Sequence, residues 1–236
     1  MSRDTDQNSL YSMLDDLRRS VGGYRYLRTA RRSDGWPERG VYFFFEKTAA
    51  ARRPAGLRLV RIGTHALKTG ARSTLWSRLN QHQGTRAGRH PGGGHHRGSV
   101  FRKHVGRALL RRDEYPEVIR TSWGIGSTAD RATRDAEHPL EHAVSSYIGD
   151  LPFLWVDVGD TPGPASDRGT IERNAIGLLS ESGQARNVDS SRAWLGALAD
   201  RDAIRDSGLW NVNHVYDGYD RSFLDVLSGC IASMSA

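Results

Sequence analysis

Two short apolar runs set the terms for any fold of this chain. GVYFFFE at 40–46 places Tyr42, Phe43, Phe44 and Phe45 in one strand length, and LRLVRIG at 57–63 alternates Arg58 with Leu59 and Arg61 with Ile62. Length and residue type both suit β-strands. The link between them carries Arg52, Arg53, Pro54 and Gly56, residues that interrupt regular structure. The pair therefore reads as an antiparallel hairpin with a long loop. Directly after a polar turn, STLWSRLNQHQG reads as a short helix. Its Leu75 and Leu79 share one face, and Arg78 and His82, four residues apart, share another.

The other elements follow from the same periodicities. Leu10, Met13, Leu14, Leu17 and Val21 recur at helical spacing, with Ser9 as the expected N-cap and Gly22–Gly23 as the stop. A loop rich in Gly, His and Arg runs from Gly84 to Gly98, and Ser99 opens a helix with Phe101, Val105, Ala108 and Leu109 inward. Arg102, Lys103 and Arg107 are expected on its outer side. Residues 113–135 read as an irregular surface segment. Pro139 suits the first turn of a helix carrying Leu140, Val144, Tyr147 and Ile148. FLWVDV at 153–158 reads as a strand, TIERNAIGLLS at 170–180 as a helix, and Phe223, Leu224, Leu227 and Ile231 as the apolar face of a last helix. This order predicts an α+β fold with a small three-stranded mixed or antiparallel sheet flanked by helices. It is expected as one domain over 1–236. Its core spans about 38–180, with a helical insertion at about 84–135 and a C-terminal extension at about 188–236.

Composition narrows the function classes. The chain has 236 residues, 34 Lys and Arg against 27 Asp and Glu, and a formal net charge of +7. Arginine clusters at 31–32, 52–53 and 111–112 favour a polyanionic partner, because the guanidinium fork matches phosphate oxygens; a GC-rich genome would also enrich arginine. No apolar run reaches the roughly 18 residues of a membrane span, and the first residues lack a signal-peptide pattern. The single cysteine, Cys230, excludes an intrachain disulfide and a Cys-rich zinc site. A cytoplasmic protein is the expectation.

GVY at 40–42, RIG at 61–63, LWSRLNQH at 75–82 and IERNAI at 171–176 together resemble the GIY-YIG nucleases. The resemblance covers about 38–180. It implies that two strands carry the tripeptides, that a helix presents Arg78 with His82 one turn on, and that a later helix presents Glu172 as a metal ligand. It implies a DNA endonuclease using Mg2+ or Mn2+, with the restriction-enzyme branch nearest because of His82 and the insertion around a small core. An asparagine beyond the glutamate also belongs to the pattern; Asn187 is the counterpart assigned here, with Asn174, Asn211 and Asn213 competing. The chain departs from the pattern at Arg61, which stands where the second tyrosine belongs, and at Thr64, where a lysine is common.

The chemistry suits those roles. Phosphodiester hydrolysis needs a water, a base for its proton and cations for the phosphoryl oxygens. Tyr42 serves as base if nearby positive charge favours its phenolate, and otherwise is a packing aromatic like its neighbours. Arg78 is the phosphate clamp, or a solvated helix arginine. His82 relays a proton or binds phosphate, or interacts with the last carbonyls of its helix. Arg61 binds phosphate and lowers the pKa of Tyr42. Glu172 holds one Mg2+, or stabilises a helix N-terminus. His65, Lys68, Arg97, Arg102, Lys103, Arg107 and Asn187 are expected to contact nucleic acid, most simply double-stranded DNA. A double-strand cut at a palindrome would call for a homodimer. His90, His95 and His96 read as a flexible basic loop near phosphates, not a metal site. SGLWNVNHVYDGYD at 207–220 mixes aromatic and polar groups as binding loops do, and equally suits a wall of the core. One rival reading is a fold of this kind that grips nucleic acid without cutting it, which Arg61 favours. Another is an enzyme acting on small phosphorylated ligands, against which stands the lack of a P-loop or dinucleotide glycine motif.

Overall fold

The aromatic run at 40–46 is buried on both sides because helices cover both faces of the sheet in which its strand is central. A computed structural model of the chain describes residues 2–47, 56–182 and 194–234. In chain order its regular elements are α1 (Arg3–Ser20), β1 (Arg25–Tyr26), β2 (Gly40–Lys47), β3 (Leu57–Gly63), α2 (Leu75–Gln83), α3 (Val100–Arg112), α4 (Glu117–Ser122), α5 (Arg131–Asp150), β4 (Pro152–Asp157), α6 (Asp167–Leu179), α7 (Asp202–Ser207) and α8 (Phe223–Ser233). The sheet order is β1-β4-β2-β3, and every neighbouring pair is antiparallel. Three of these strands match the expectation. The fourth, β1, is two residues long and too short to carry a period.

Alternation along the strands divides the core into two layers. Tyr42, Phe44, Phe153 and Trp155 face one layer with Leu75, Leu79, Phe101, Val105, Leu140, Val144 and Ile148. Val41, Phe43, Phe45, Leu154 and Val156 face the other, with Leu10, Leu14, Leu17, Ile171, Ala175, Phe223 and Leu227. Thus α2, α3 and α5 cover one face of the sheet, and α1, α6 and α8 cover the other. Trp194 and Trp210 join the first layer, so the C-terminal segment packs against the sheet.

An irregularity in β3 decides which residues meet. Phe44 pairs with Arg61 and Phe45 with Leu59, so Val60 is one residue too many. Such a bulge shifts the side-chain alternation by one. Leu59 and Ile62 consequently share one layer, Val60 joins the other, and Arg61 and Gly63 lie opposite Phe44 and Tyr42.

Several local expectations are corrected. The N-cap of α1 is Ser2, which accepts the Thr5 N–H; Ser9 lies inside the helix with its hydroxyl on Thr5 O. Residues 113–135 are not irregular throughout, since α4 and the start of α5 fall there. Asp130 caps α5 through the Thr133 N–H at 2.7 Å, so Pro139 lies in the helix interior at the cost of one backbone donor. Burial of Leu140, Val144 and Ile148 offsets that loss. No described helix is long and apolar enough to cross a membrane.

Candidate active site

Tyr42 reaches the site because two glycines leave room for its strand. A Cβ on Gly63 would collide with the Tyr42 ring and hydroxyl, and one on Gly40 would collide with Val156 O and crowd Leu75. The phenol oxygen lies 3.0 Å from His82 Nε2, and both residues are fully buried. On its other side His82 Nδ1 lies 2.8 Å from Ser99 Oγ, the N-cap of α3. Burial holds the His82 pKa well below its usual value, and the charges of Arg78, Arg61 and Arg102 add to this. The ring is therefore neutral. With its proton on Nδ1 toward Ser99, its Nε2 accepts the Tyr42 hydroxyl proton. Gly63→Ala is expected to cost about 1–3 kcal/mol of stability by overpacking and to separate Tyr42 from His82; a denaturant midpoint equal to wild type would show that the strand absorbs the methyl group.

Glu172 comes to the same region from α6. Its Oε1 accepts the Thr64 N–H at 3.2 Å, and Thr64 Oγ1 donates to Gly40 O at 2.8 Å. The first residue of the first tripeptide, the residue after the second tripeptide and the glutamate are thus tied together. Burial raises the Glu172 pKa, while Arg61, the Thr64 N–H, His214 and Arg78 oppose the rise. Arg61 and Arg78 act electrostatically on both His82 and Glu172, so the histidine and the carboxylate share the field of the same two cations.

The two arginines are held differently. Arg78 is half-buried, donates from Nη1 to Gln81 Oε1 at 2.9 Å, and keeps a buried Nε without a partner. Arg61 is 7% exposed, donates to Trp210 O at 2.6 Å and lies 4.8 Å over the Phe101 ring. Its Nε is also buried and unpartnered. His65 turns its Nδ1–H to Ser73 O at 2.8 Å; burial first, and the nearby arginines after it, lower its pKa to about 4.

The expected phosphate contacts outside this cluster are largely spent within the protein. Arg102 does not point outward: it is 0% exposed and donates to Glu141 Oε2, His82 O and Ser145 Oγ. Arg97 grips Glu137 with both terminal nitrogens at 2.7 and 2.8 Å, and Arg107 pairs with Asp200. For Arg97 and Arg102 the reason is α5, which presents Glu137 and Glu141 one turn apart toward the start of α3. His96 is likewise buried, 2.9 Å from Glu141 Oε1 and stacked on Trp123, so it is not part of a flexible phosphate-binding loop. Lys103 is half-buried and Lys68 exposed. Asn187 lies outside the described residues. Among the competing asparagines, Asn211 bonds both backbone groups of Ile62 and Asn174 caps the Asp220 N–H.

Sequence reasoning gave no place at the site to Ser99, which was visible only as a helix opener, or to His214, which lies in the aromatic–polar segment at 207–220; Thr64 stood out only as a departure from the motif. Among the described residues no three His, Cys, Asp or Glu side chains converge to hold a metal ion. A family model described as a GIY-YIG domain matches residues 1–236. No curated protein and no solved structure matches the chain.

Proposed function

The chain belongs to the GIY-YIG nuclease superfamily, and from that premise we propose that it is a metal-dependent endonuclease cutting DNA, in a restriction or defence role. The observation that carries this reading is the buried Tyr42–His82 hydrogen bond, whose histidine shares the charges of Arg61 and Arg78 with a carboxylate fixed on the Thr64 N–H.

In this mechanism the attacking water passes its proton to the Tyr42 oxygen as the phenol proton moves to His82 Nε2, with the bound phosphate offsetting the Arg78 and Arg61 charges that hold the ring neutral in the free protein. The water oxygen bonds to phosphorus and the bond to the 3′ oxygen breaks, leaving a 5′ phosphate. Arg78 holds the non-bridging oxygens, its unpartnered Nε–H being a donor in reserve. Arg61, held on Trp210 O, adds positive potential from behind. Tyr42 and His82 are closed to solvent in this structure, so substrate binding has to part the cover over the phenol before water reaches it.

The donor set suits one hard divalent ion. Glu172 Oε1 is committed to Thr64, whereas Oε2 bonds to no described residue, and a single carboxylate with water and substrate phosphate is a usual shell for such an ion. Glu172 would hold Mg2+ or Mn2+ there, and the ion would supply stabilisation of charge on the leaving 3′ oxygen.

Purified protein is expected to fragment duplex DNA in Mg2+ and to leave it intact in EDTA. Arg78→Ala is expected to slow cleavage by about 10²–10³-fold, the usual loss for one electrostatic donor. Gel-shift binding of DNA without cleavage in any divalent ion would replace this reading with the non-cutting nucleic-acid-binding protein.

A further inference from the structure

Four of the six tryptophans are buried. The two that are not, Trp36 and Trp76, are half-buried and stack on each other at 5.5 Å and 20°. Trp36 also stacks on Phe153 at 5.8 Å and 18°, and tilts onto Trp155 at 4.8 Å. Three near-parallel rings, Phe153, Trp36 and Trp76, thus lead from the core to the surface. The Trp36 N–H is held by Arg31 O at 2.6 Å. The Trp76 indole N–H bonds to no described residue and is not among the buried unpartnered groups, so the outer end of the stack meets solvent.

This stack is continuous with the reaction site. Trp155 pairs across the sheet with Tyr42, and both side chains face the same layer, an arrangement that sets the two Cβ atoms about 5 Å apart. The segment bearing Trp36 leads directly into β2, the strand of Tyr42. Trp76 and Arg78 lie two residues apart on α2 and project from opposite flanks of that helix. The Leu75 N–H donates to Glu38 O at 2.9 Å, which fastens the two tryptophan segments together.

Cations surround the stack. The Arg25 guanidinium lies 5.9 Å over the Trp155 ring, and the bond from Trp36 to Arg31 O sets Arg31 and Arg32 beside Trp36. All three arginines are exposed. Arg97, Arg102 and Arg107 are each paired with a carboxylate; no described carboxylate forms an ion pair with Arg25, Arg31 or Arg32. The positive rim disfavours the organic cations that aromatic clusters otherwise take. An aromatic face beside unpaired arginines suits single-stranded nucleic acid, whose bases stack on the ring while its phosphates meet the charges.

We propose that the Trp36–Trp76 stack is a platform for an unpaired base of the DNA substrate within a few nucleotides of the cut, with Arg25, Arg31 and Arg32 on the neighbouring phosphates. This rests on the nuclease reading for the identity of the substrate. A base inside a duplex has both faces covered, so the base on the platform is either already free or flipped out of its helix.

The test measures binding of the full chain in EDTA, beside cleavage in Mg2+, with three oligonucleotides of equal length. These are a single strand, the same strand with abasic sites in place of its bases, and a duplex carrying 2-aminopurine. Wild type is expected to bind the single strand about 10-fold or more tightly than the abasic strand, which has the same phosphates but nothing to stack. Trp76→Ala is expected to bind the two alike, and Trp76→Phe, which keeps a ring, to restore most of the difference. Arg25→Ala is expected to weaken both equally and to reduce the salt slope by about 0.7, the value for one phosphate contact on a single strand. Tighter binding of the single strand than of the duplex assigns a base already free. Equal binding of the duplex with a change in 2-aminopurine emission assigns a flipped one. Circular dichroism checks that each variant folds. If wild type binds the abasic strand as tightly as the single strand, or Trp76→Ala keeps the wild-type difference, the platform falls, and Mg2+-dependent cleavage by wild type leaves the nuclease reading standing. Wild type that binds no oligonucleotide and cuts no DNA overturns both.

Discussion

Glu172→Gln is expected to cut supercoiled DNA in Mg2+ at least about 10³-fold more slowly than wild type while remaining as stable or becoming slightly more so. The rate loss corresponds to about 4 kcal/mol of transition-state stabilisation at 1.36 kcal/mol per decade, within the several kcal/mol that one ion supplies. The stability expectation comes from the site itself. Glutamine keeps an oxygen for the Thr64 N–H and removes a charge that burial disfavours. Because the folded-state pKa of Glu172 is raised, the folded protein binds the extra proton more readily than the unfolded chain. Its contribution to stability therefore falls as pH rises from the ordinary glutamate value of 4.5 through the raised value, and the glutamine variant loses that dependence. Rates are read from plasmid nicking and stability from thermal melts at several pH values. A variant that cuts at the wild-type rate would show that Glu172 holds no ion needed for the reaction.

Glu141→Ala is expected to destabilise the protein by about 3–5 kcal/mol, the scale for removing one partner of a buried ion pair. Glu141 is 5% exposed. Its carboxylate takes Nε–H of Arg102 at 3.1 Å and both the N–H and Nδ1 of His96 at 2.7 and 2.9 Å. Burial alone would raise its pKa, but these partners outweigh it and bring the value down to about 2. The pair's stabilisation is therefore fully present above the ordinary glutamate value of 4.5 and is lost as pH falls from there toward about 2. The damage should extend to the reaction, because Arg102 also donates to His82 O at 2.9 Å and so fixes the end of α2. Urea denaturation at neutral and acid pH checks both statements. Equal midpoints for variant and wild type at neutral pH would mean that the network adds nothing to the fold.

The parts of this structure that follow from local chemistry could be read in the sequence. The strands at 40–47 and 57–63, the α2 face bearing Leu75 and Leu79, and the closing helix at 223–233 all carry a clear period. The places of Tyr42 on β2, Arg78 and His82 on α2 and Glu172 on α6 could be read because short motifs fix their spacing. Partnership across the fold was not legible. Nothing near Arg102 in sequence announces Glu141, which lies 39 residues on, so a buried arginine read as a solvated one. The same holds for Arg97 with Glu137 and Arg107 with Asp200: net positive charge says how many cations exist, not which are already satisfied. β1 escaped notice because two residues cannot display an alternation, and Pro139 was misplaced because tertiary burial outweighed its local cost.

The extra residue at Val60 lets β3 carry one residue more than its partner without disturbing the pairing on either side. Deleting Val60 would leave Leu59 opposite Phe45 and Arg61 opposite Phe44, each on its present face of the sheet. It would remove the apolar side chain that Val60 adds to the layer of Tyr42 and Phe44. Related chains can thus be expected to gain or lose a residue here while the residues around it keep their faces. Where a relative lacks the extra residue, its arginine or tyrosine of the second tripeptide should be matched by counting back from the glycine, not forward from the start of the strand.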